Sequence, residues 1–425
     1  MDDFLAKVKR VCFHLFSRSN FLPLYLSYLR IAIFDVEKPD IVFHLAAQRL
    51  PWLAEIQIRE TVSTSILGTQ NIIRLSQMCG VQQCIFSSTG KAARYFTTEV
   101  YAASKKISEW QFAQAAQKGD VTYGMVRFTH MLENSSVCQQ IDNKIQQGKI
   151  VNVHAPHRYV TAQNVSEASH LLLNALVLCQ PGKLKFLTVR NLDWPVETLE
   201  VALYKIAQSG KDIPIYFQGL IPGYEEPCFL GQFDWDSPTE INFLTNALEP
   251  HFIDSSGELF VAEVSPFCSH TLTKHLAGLQ ILLADSDLPE AQIKRSLGNA
   301  VKEIGNSIFS QALTHTLLKI LKWGANPKHF EVEEISIKEY RDVLELILQE
   351  LYGRIDQEVL MRSQLTPNEV DDLIEILSLL PSVQQEVAYL RAVSRIFREF
   401  NLGQNPVEPF PDNIDLSNVS GVSIA

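Results

Sequence analysis

The sequence predicts an α/β protein: a doubly wound parallel sheet in the first part of the chain, followed by an all-α region. Residues 40 to 46 and 82 to 88 are short apolar runs rich in Ile, Val and Phe, the pattern of strands buried on both faces. Between them, residues 58 to 79 carry helical periodicity through Ile66, Ile72, Ile73 and Leu75 and end near Gly80. Strand, helix and strand at this spacing make a βαβ crossover. From about residue 255 strand-like runs largely disappear and helices with clear boundary signals take over.

Val121 to Phe128 and Lys185 to Val189 read as further strands, with helices over Tyr101 to Ala116 and Val165 to Leu178. In the C-terminal region Ile337, Tyr340, Leu344, Ile347 and Leu351 recur at gaps of three and four, an apolar stripe on one helix face. Thr366-Pro367-Asn368-Glu369 supplies an N-cap, a proline at the first helical position and a capping-box glutamate. Ser382 and Gln385 are expected to repeat that capping before Val387, Leu390, Val393 and Phe397. The tail from Gln404, with Pro406, Pro409 and Pro411, is expected to be extended or disordered. The chain thus divides into a sheet domain (1–253), a helical domain (254–403) and a tail (404–425).

Composition removes several functions. With 425 residues the chain holds about two or three domains. A net charge of −11 argues against nucleic acid as a partner, since binders of that class carry a basic surplus. Seven cysteines without a C-x-x-C pair indicate neither a zinc knuckle nor a disulfide framework, and fit free thiols in a reducing cytoplasm. His130, His154 and His157 lack metal-ligand spacing, so no metal is expected. No apolar run reaches the roughly 18 residues needed to span a bilayer, and no secretory signal is read at the N-terminus, so a cytoplasmic protein is expected.

The chemistry is expected around Tyr101-Ala102-Ala103-Ser104-Lys105, after a strand ending in Ser87-Ser88-Thr89. A tyrosine four residues ahead of a lysine on a helix puts both side chains on one face. There the ammonium is expected to lower the phenol from its ordinary pKa of about 10, making Tyr101 a proton acceptor. The surrounding motifs are Lys38-Pro39-Asp40-Ile41-Val42-Phe43-His44-Leu45-Ala46-Ala47, Ser65-Ile66-Leu67-Gly68-Thr69-Gln70-Asn71 and Ser88-Thr89-Gly90-Lys91-Ala92. Val126-Arg127-Phe128, Arg158-Tyr159-Val160 and Gly219-Leu220-Ile221-Pro222-Gly223-Tyr224-Glu225 follow. In this order they resemble the extended short-chain dehydrogenase/reductase superfamily, and within it the polysaccharide-biosynthesis family of nucleotide-sugar epimerases and 4,6-dehydratases.

That resemblance implies a Rossmann-like sheet, NADP or NAD as cofactor and a UDP-sugar as substrate. It also implies roles. Tyr101 would take the 4-hydroxyl proton as hydride leaves C4 for the cofactor, and Lys105 would hold the nicotinamide ribose. Lys91 would aid loss of the C5 proton, and Thr89 or Ser88 would hydrogen-bond the 4-oxygen. His44, Ala46, Ala47 and Ser88 would line the cofactor, while Arg127 and Arg158 would face the substrate. For Arg158 a surface arginine at a strand edge is the competing reading.

The chain also departs from the family pattern. It has no G-x-x-G-x-x-G segment, and its first glycine is Gly68. Residues 11 to 21 look like the family's second strand, with Arg18 near a ribose or its 2′-phosphate. The sheet is then expected to be incomplete, lacking the glycine-rich first βα unit; an unrelated helical start over residues 1 to 36 is the alternative. The family's Ser/Thr-Asp-Lys triplet appears as Thr89-Gly90-Lys91, which removes general-acid help worth about 10²–10⁴-fold. Glu99 is a stand-in candidate, set against a solvated surface charge. Two functions stay open: a divergent relative with impaired or absent catalysis, or a non-catalytic scaffold. In the second, the C-terminal helices would contact a protein partner or another copy of the chain.

Overall fold

The computed structural model describes residues 33–131, 135–192, 195–236 and 241–401. Its centre is a six-stranded sheet. Strands β1 (Ile41–His44), β2 (Gln83–Thr89), β3 (Thr122–Phe128) and β4 (Lys185–Val189) run parallel in that order. Beyond β4 lie β6 (Leu259–Glu263) and then β5 (His251–Ile253), each antiparallel to its neighbour. Phe86 stands opposite Met125, and Met125 opposite Phe186. Among the described residues β1 is an edge strand.

The strands take their places because successive side chains go to opposite faces. Cys84, Phe86, Met125 and Phe186 meet Ile72, Leu75, Phe112 and Ala116 on one side. Ile85, Val126 and Leu187 meet Leu171 and Ala175 of helix Val165–Leu178 on the other. Both faces are therefore apolar, which is why these strands read as continuous runs in the sequence. The helix expected over 58 to 79 forms in three parts: Ile58–Val62, a π-helical turn Ser63–Leu67, and Gly68–Met78. Ser65 in the turn offers its carbonyl to the hydroxyls of Thr69 and Ser108.

Two expectations change beyond residue 250. The sheet does not end at 253, because β6 pairs along β4 from Leu259↔Val189 to Glu263↔Lys185. The helices that follow, Ser269–Ala284 and Glu290–Gln311, pack back onto the sheet domain. Leu272, Leu276, Leu279, Ile293, Leu297 and Ile304 close on Val62, Ile66, Ile107 and Trp110. Helix Val100–Ala116 is thereby covered on both sides, and Ser104, Lys105, Lys106, Ser108 and Glu109 are all buried. The remaining helices, from Thr314–Gly324 to Gln384–Asn401, build a second core around Leu317, Leu321, Leu344, Ile347, Leu373, Leu377 and Leu390, joined to the first part of the chain through Tyr95, Phe229 and Phe309.

The capping box at Thr366 and Glu369 forms as expected. The one expected at Ser382 does not: that residue sits in a 3-10 turn (Pro381–Val383) and its hydroxyl goes to Glu345. Arg18 and the tail from 404 lie outside the described residues.

Candidate functional site

In an open parallel sheet, ligands bind beyond the carboxyl ends of the strands. Here β1 delivers His44 and the loop through Gln48, and β2 delivers Ser88, Thr89 and the turn Gly90–Ala93. From β3 come Arg127 and His130, and helix 100–116 starts above with Tyr101. The structure brings the expected residues to one end of the sheet, but turns most of them inward.

Tyr101 is half-buried, and its phenol is hydrogen-bonded by the side chain of Thr89. Burial raises the phenol's pKa against that bond, opposite to the direction expected from Lys105. The Lys105 ammonium is anchored elsewhere: its Nζ donates to the Ser87 carbonyl at 2.7 Å and lies 4.7 Å from the Phe86 ring centre. Burial pulls it down to about 8, with Glu109 pulling the other way. Helical spacing aligned the pair as expected, but the lysine leans onto β2.

Arg127 and Ser88 also serve the interior. The guanidinium binds both oxygens of Glu109 at 2.9 and 2.7 Å and both of Glu249 at 2.7 and 2.6 Å. It donates to Leu244 O as well and lies 4.1 Å over the Phe186 ring, leaving 1 % of its surface exposed. The Ser88 hydroxyl donates to Glu109 at 2.5 Å. His44 is buried beside Phe86, with Nε2 2.8 Å from the Thr69 hydroxyl. That hydroxyl spends its proton on Ser65 O, so the imidazole donates from Nε2. Ala46 and Ala47 are half-buried in the loop after β1.

Lys91 is fully buried. Its Nζ donates to Glu99 at 2.7 Å and to Gly223 O at 2.6 Å, and sits 4.8 Å from the Tyr224 ring centre. Burial lowers the ammonium's pKa against the pull of Glu99. Glu99 also accepts from Arg94 at 3.0 Å, and Arg94 reaches Glu226 at 2.5 Å. Glu99 is therefore a buried hub and no solvated charge.

The sequence reading gave His130, His154 and Tyr224 little weight, yet all stand around Lys91. Burial, with Lys91 and His154 adding to it, pushes the His130 imidazole down to about 4, and its Nδ1 is buried without a hydrogen-bond partner. His154 packs edge-on against Tyr224, ring centres 4.9 Å apart. Burial raises Tyr224 to about 12, with the neighbouring Tyr101 contributing. Arg158 is half-buried; burial lowers the His154 imidazole, with the Arg158 charge adding to it, and among the described residues Arg158 makes no ion pair. Only the distance in sequence hid these neighbours. Among the described residues no cluster of three His, Cys, Asp or Glu side chains is placed to hold a metal.

The buried lysines give a pH test. Lys105 and Lys106, the latter donating to Ala92 O at 2.9 Å, are both lowered by burial to about 8. The unfolded chain keeps these groups protonated to about 10.4. Above pH 8 the unfolded state therefore binds more protons, and stability contributed by these groups rises with pH toward 10. The urea midpoint of the wild type should rise relative to that of Lys106→Met as pH climbs from 7 to 9.5; a constant difference would refute the assignment.

With the site described, its relatives can be compared. The family described as polysaccharide biosynthesis protein matches residues 28–228. This stretch, a little under half of the chain, is similar to that family. The capsular polysaccharide biosynthesis protein CapD of Staphylococcus aureus is 32% identical over 197 residues, 44% of this chain and 32% of that protein. An uncharacterized membrane protein of Methanocaldococcus jannaschii is 30% identical over 201 residues, 45% of this chain and 60% of its own length. An inverting UDP-N-acetylglucosamine 4,6-dehydratase of Campylobacter jejuni is 32% identical over 96 residues, 22% of this chain and 28% of the enzyme. The chain thus spans less than two thirds of the length of each of these curated relatives, and about a third of CapD. No helix among the described residues is long and apolar enough to cross a membrane.

Proposed function

We propose that this chain is a divergent polysaccharide-biosynthesis protein whose nucleotide-sugar site is shut and whose catalysis is impaired or absent. One observation carries the reading: Lys91, the residue family likeness assigns to proton removal at C5, is fully buried between Glu99, Gly223 O and Tyr224. A lysine lost to an internal ion pair cannot reach a sugar carbon. Gly90 beside it has no carboxyl to protonate a departing hydroxyl.

The described residues do not fit a dinucleotide either. Lys105 is bonded to the strand backbone and His44 to Thr69. Among these residues no glycine-rich turn opens a helix toward a pyrophosphate. The scaffold alternative draws on the second core, built mainly by helices 314–401.

The test is turnover. Purified chain with UDP-N-acetylglucosamine and NADP⁺ or NAD⁺ should yield no dehydrated or epimerised sugar, and tryptophan fluorescence should show no micromolar cofactor binding. Gly90→Asp alone should not restore turnover, because Lys91 remains held. Product from the wild type would overturn the proposal.

A further inference from the structure

The cover over Lys91 is built differently from the rest of the interior. We propose that residues 219–226 form a releasable strap, latched by Glu226, that keeps the Lys91 side chain out of reach. This deepens the reading of a shut site, and rests on it for the identity of the covered group.

The latch is an anion cradle filled by the chain's own carboxylate. Glu226 accepts from the main-chain N–H of Thr98 at 2.6 Å and of Glu99 at 3.2 Å. The hydroxyls of Thr97 and Thr98 add bonds at 2.7 and 3.2 Å, and Arg94 adds one at 2.5 Å. These donors lead into helix 100–116, whose amino end favours a negative charge. The Glu226 side chain keeps 21 % of its surface exposed, so water can take over its bonds when it leaves.

The strap itself is held by polar contacts and one steric seat. Gly223 gives its carbonyl to Lys91, and Tyr224 lays its ring beside the same ammonium. Gly219 and Gly223 have φ of +79° and +88°, values that only glycine adopts without strain. A Cβ on Gly223 would stand 2.8 Å from the Pro51 carbonyl carbon and oxygen, and backbone cannot step aside. Gly219, Leu220, Pro222 and Glu225 are exposed. A segment with few apolar anchors and replaceable hydrogen bonds belongs to the low-stability end of a fold.

Two variants release the strap by unrelated means: Glu226→Ala removes the latch, and Gly223→Ala blocks the seat. In the full-length chain, amide exchange over 219–226 should quicken about tenfold or more, the loss of one charge-assisted anchor. Lys91 should become open to an acylating amine reagent, read by peptide mass spectrometry, while β2 and β3 amides stay protected. Unchanged exchange and an unlabelled Lys91 in both variants would overturn the proposal. So would loss of β2 and β3 protection in both, which would make the segment part of the core. Neither readout depends on turnover, so an active wild type would sink the reading of lost catalysis and leave the strap standing or falling separately.

Discussion

Arg127→Met should destabilise the folded chain by about 3–5 kcal/mol, the range for removing one partner of a buried ion cluster. The guanidinium bridges Glu109 and Glu249, with both oxygens of each carboxylate engaged. Glu109 and Glu249 are themselves 2 % and 5 % exposed. Without the arginine two buried carboxylates lose their bidentate partner and keep the Ser88 hydroxyl, the Asn246 N–H and the charges of Lys105 and Lys106. Arg127→Lys should rescue little, because an ammonium cannot make the paired bonds of a planar fork. The triple variant Arg127→Met, Glu109→Gln, Glu249→Gln should recover much of the loss, since no buried charge is then left unpaired. Guanidinium unfolding midpoints measure all three. A single variant within about 1 kcal/mol of wild type, the worth of an exposed pair, would show that water reaches the cluster.

The same cluster explains what could be read from the chain and what could not. β1 to β4 were legible because strands with two apolar faces leave unbroken Ile, Val and Phe runs; helix 165–178 was also placed, and the structure adds the capping box at Asn164 and Glu167 that sets its start. Helix 100–116 was legible in position, but its cover was not. Lys105 was expected to hold a ribose, and Lys106 and Glu109 carried no expectation; all three are buried in a helix over which helices 269–284 and 290–311 pack. β5 and β6 were missed because they are short and return antiparallel, without the helix that announces a parallel strand. At the site, Tyr101, Thr89, Lys91 and Arg127 were found by motif, yet their chemistry depends on distant partners. Gly223 lies 132 residues beyond Lys91, and Glu249 lies 122 beyond Arg127. Spacing within a motif says which side chains share a face, and burial by another segment decides whether they meet a ligand.

A second large effect should appear where the sheet domain meets the C-terminal helices. Gly231 sits in the 3-10 turn Leu230–Gln232 against helix Thr314–Gly324. A Cβ there would fall 2.4 Å from the Ile320 carbonyl oxygen and 2.8 Å from the Phe229 ring. Gly324 makes the matching approach from the helix, its Cβ position 2.3 Å from the same ring. The two crowdings differ in what must give way. At Gly324 the obstacle is a side chain that a smaller residue can replace; at Gly231 it is helix backbone. Gly231→Ala is therefore expected to cost about 3 kcal/mol, the upper end for overpacking, and Gly324→Ala about 1–3 kcal/mol. Phe229→Leu should relieve the Gly324→Ala variant and leave Gly231→Ala unrelieved. Because Tyr95 packs edge-on against Phe229 and Phe309 at this contact, with ring centres 6.2 and 5.0 Å apart, forcing the helix away should also uncouple the C-terminal core. Calorimetry of Gly231→Ala should then show two melting transitions where the wild type shows one. A single transition with an unshifted midpoint would mean that the turn and the helix do not press together as described.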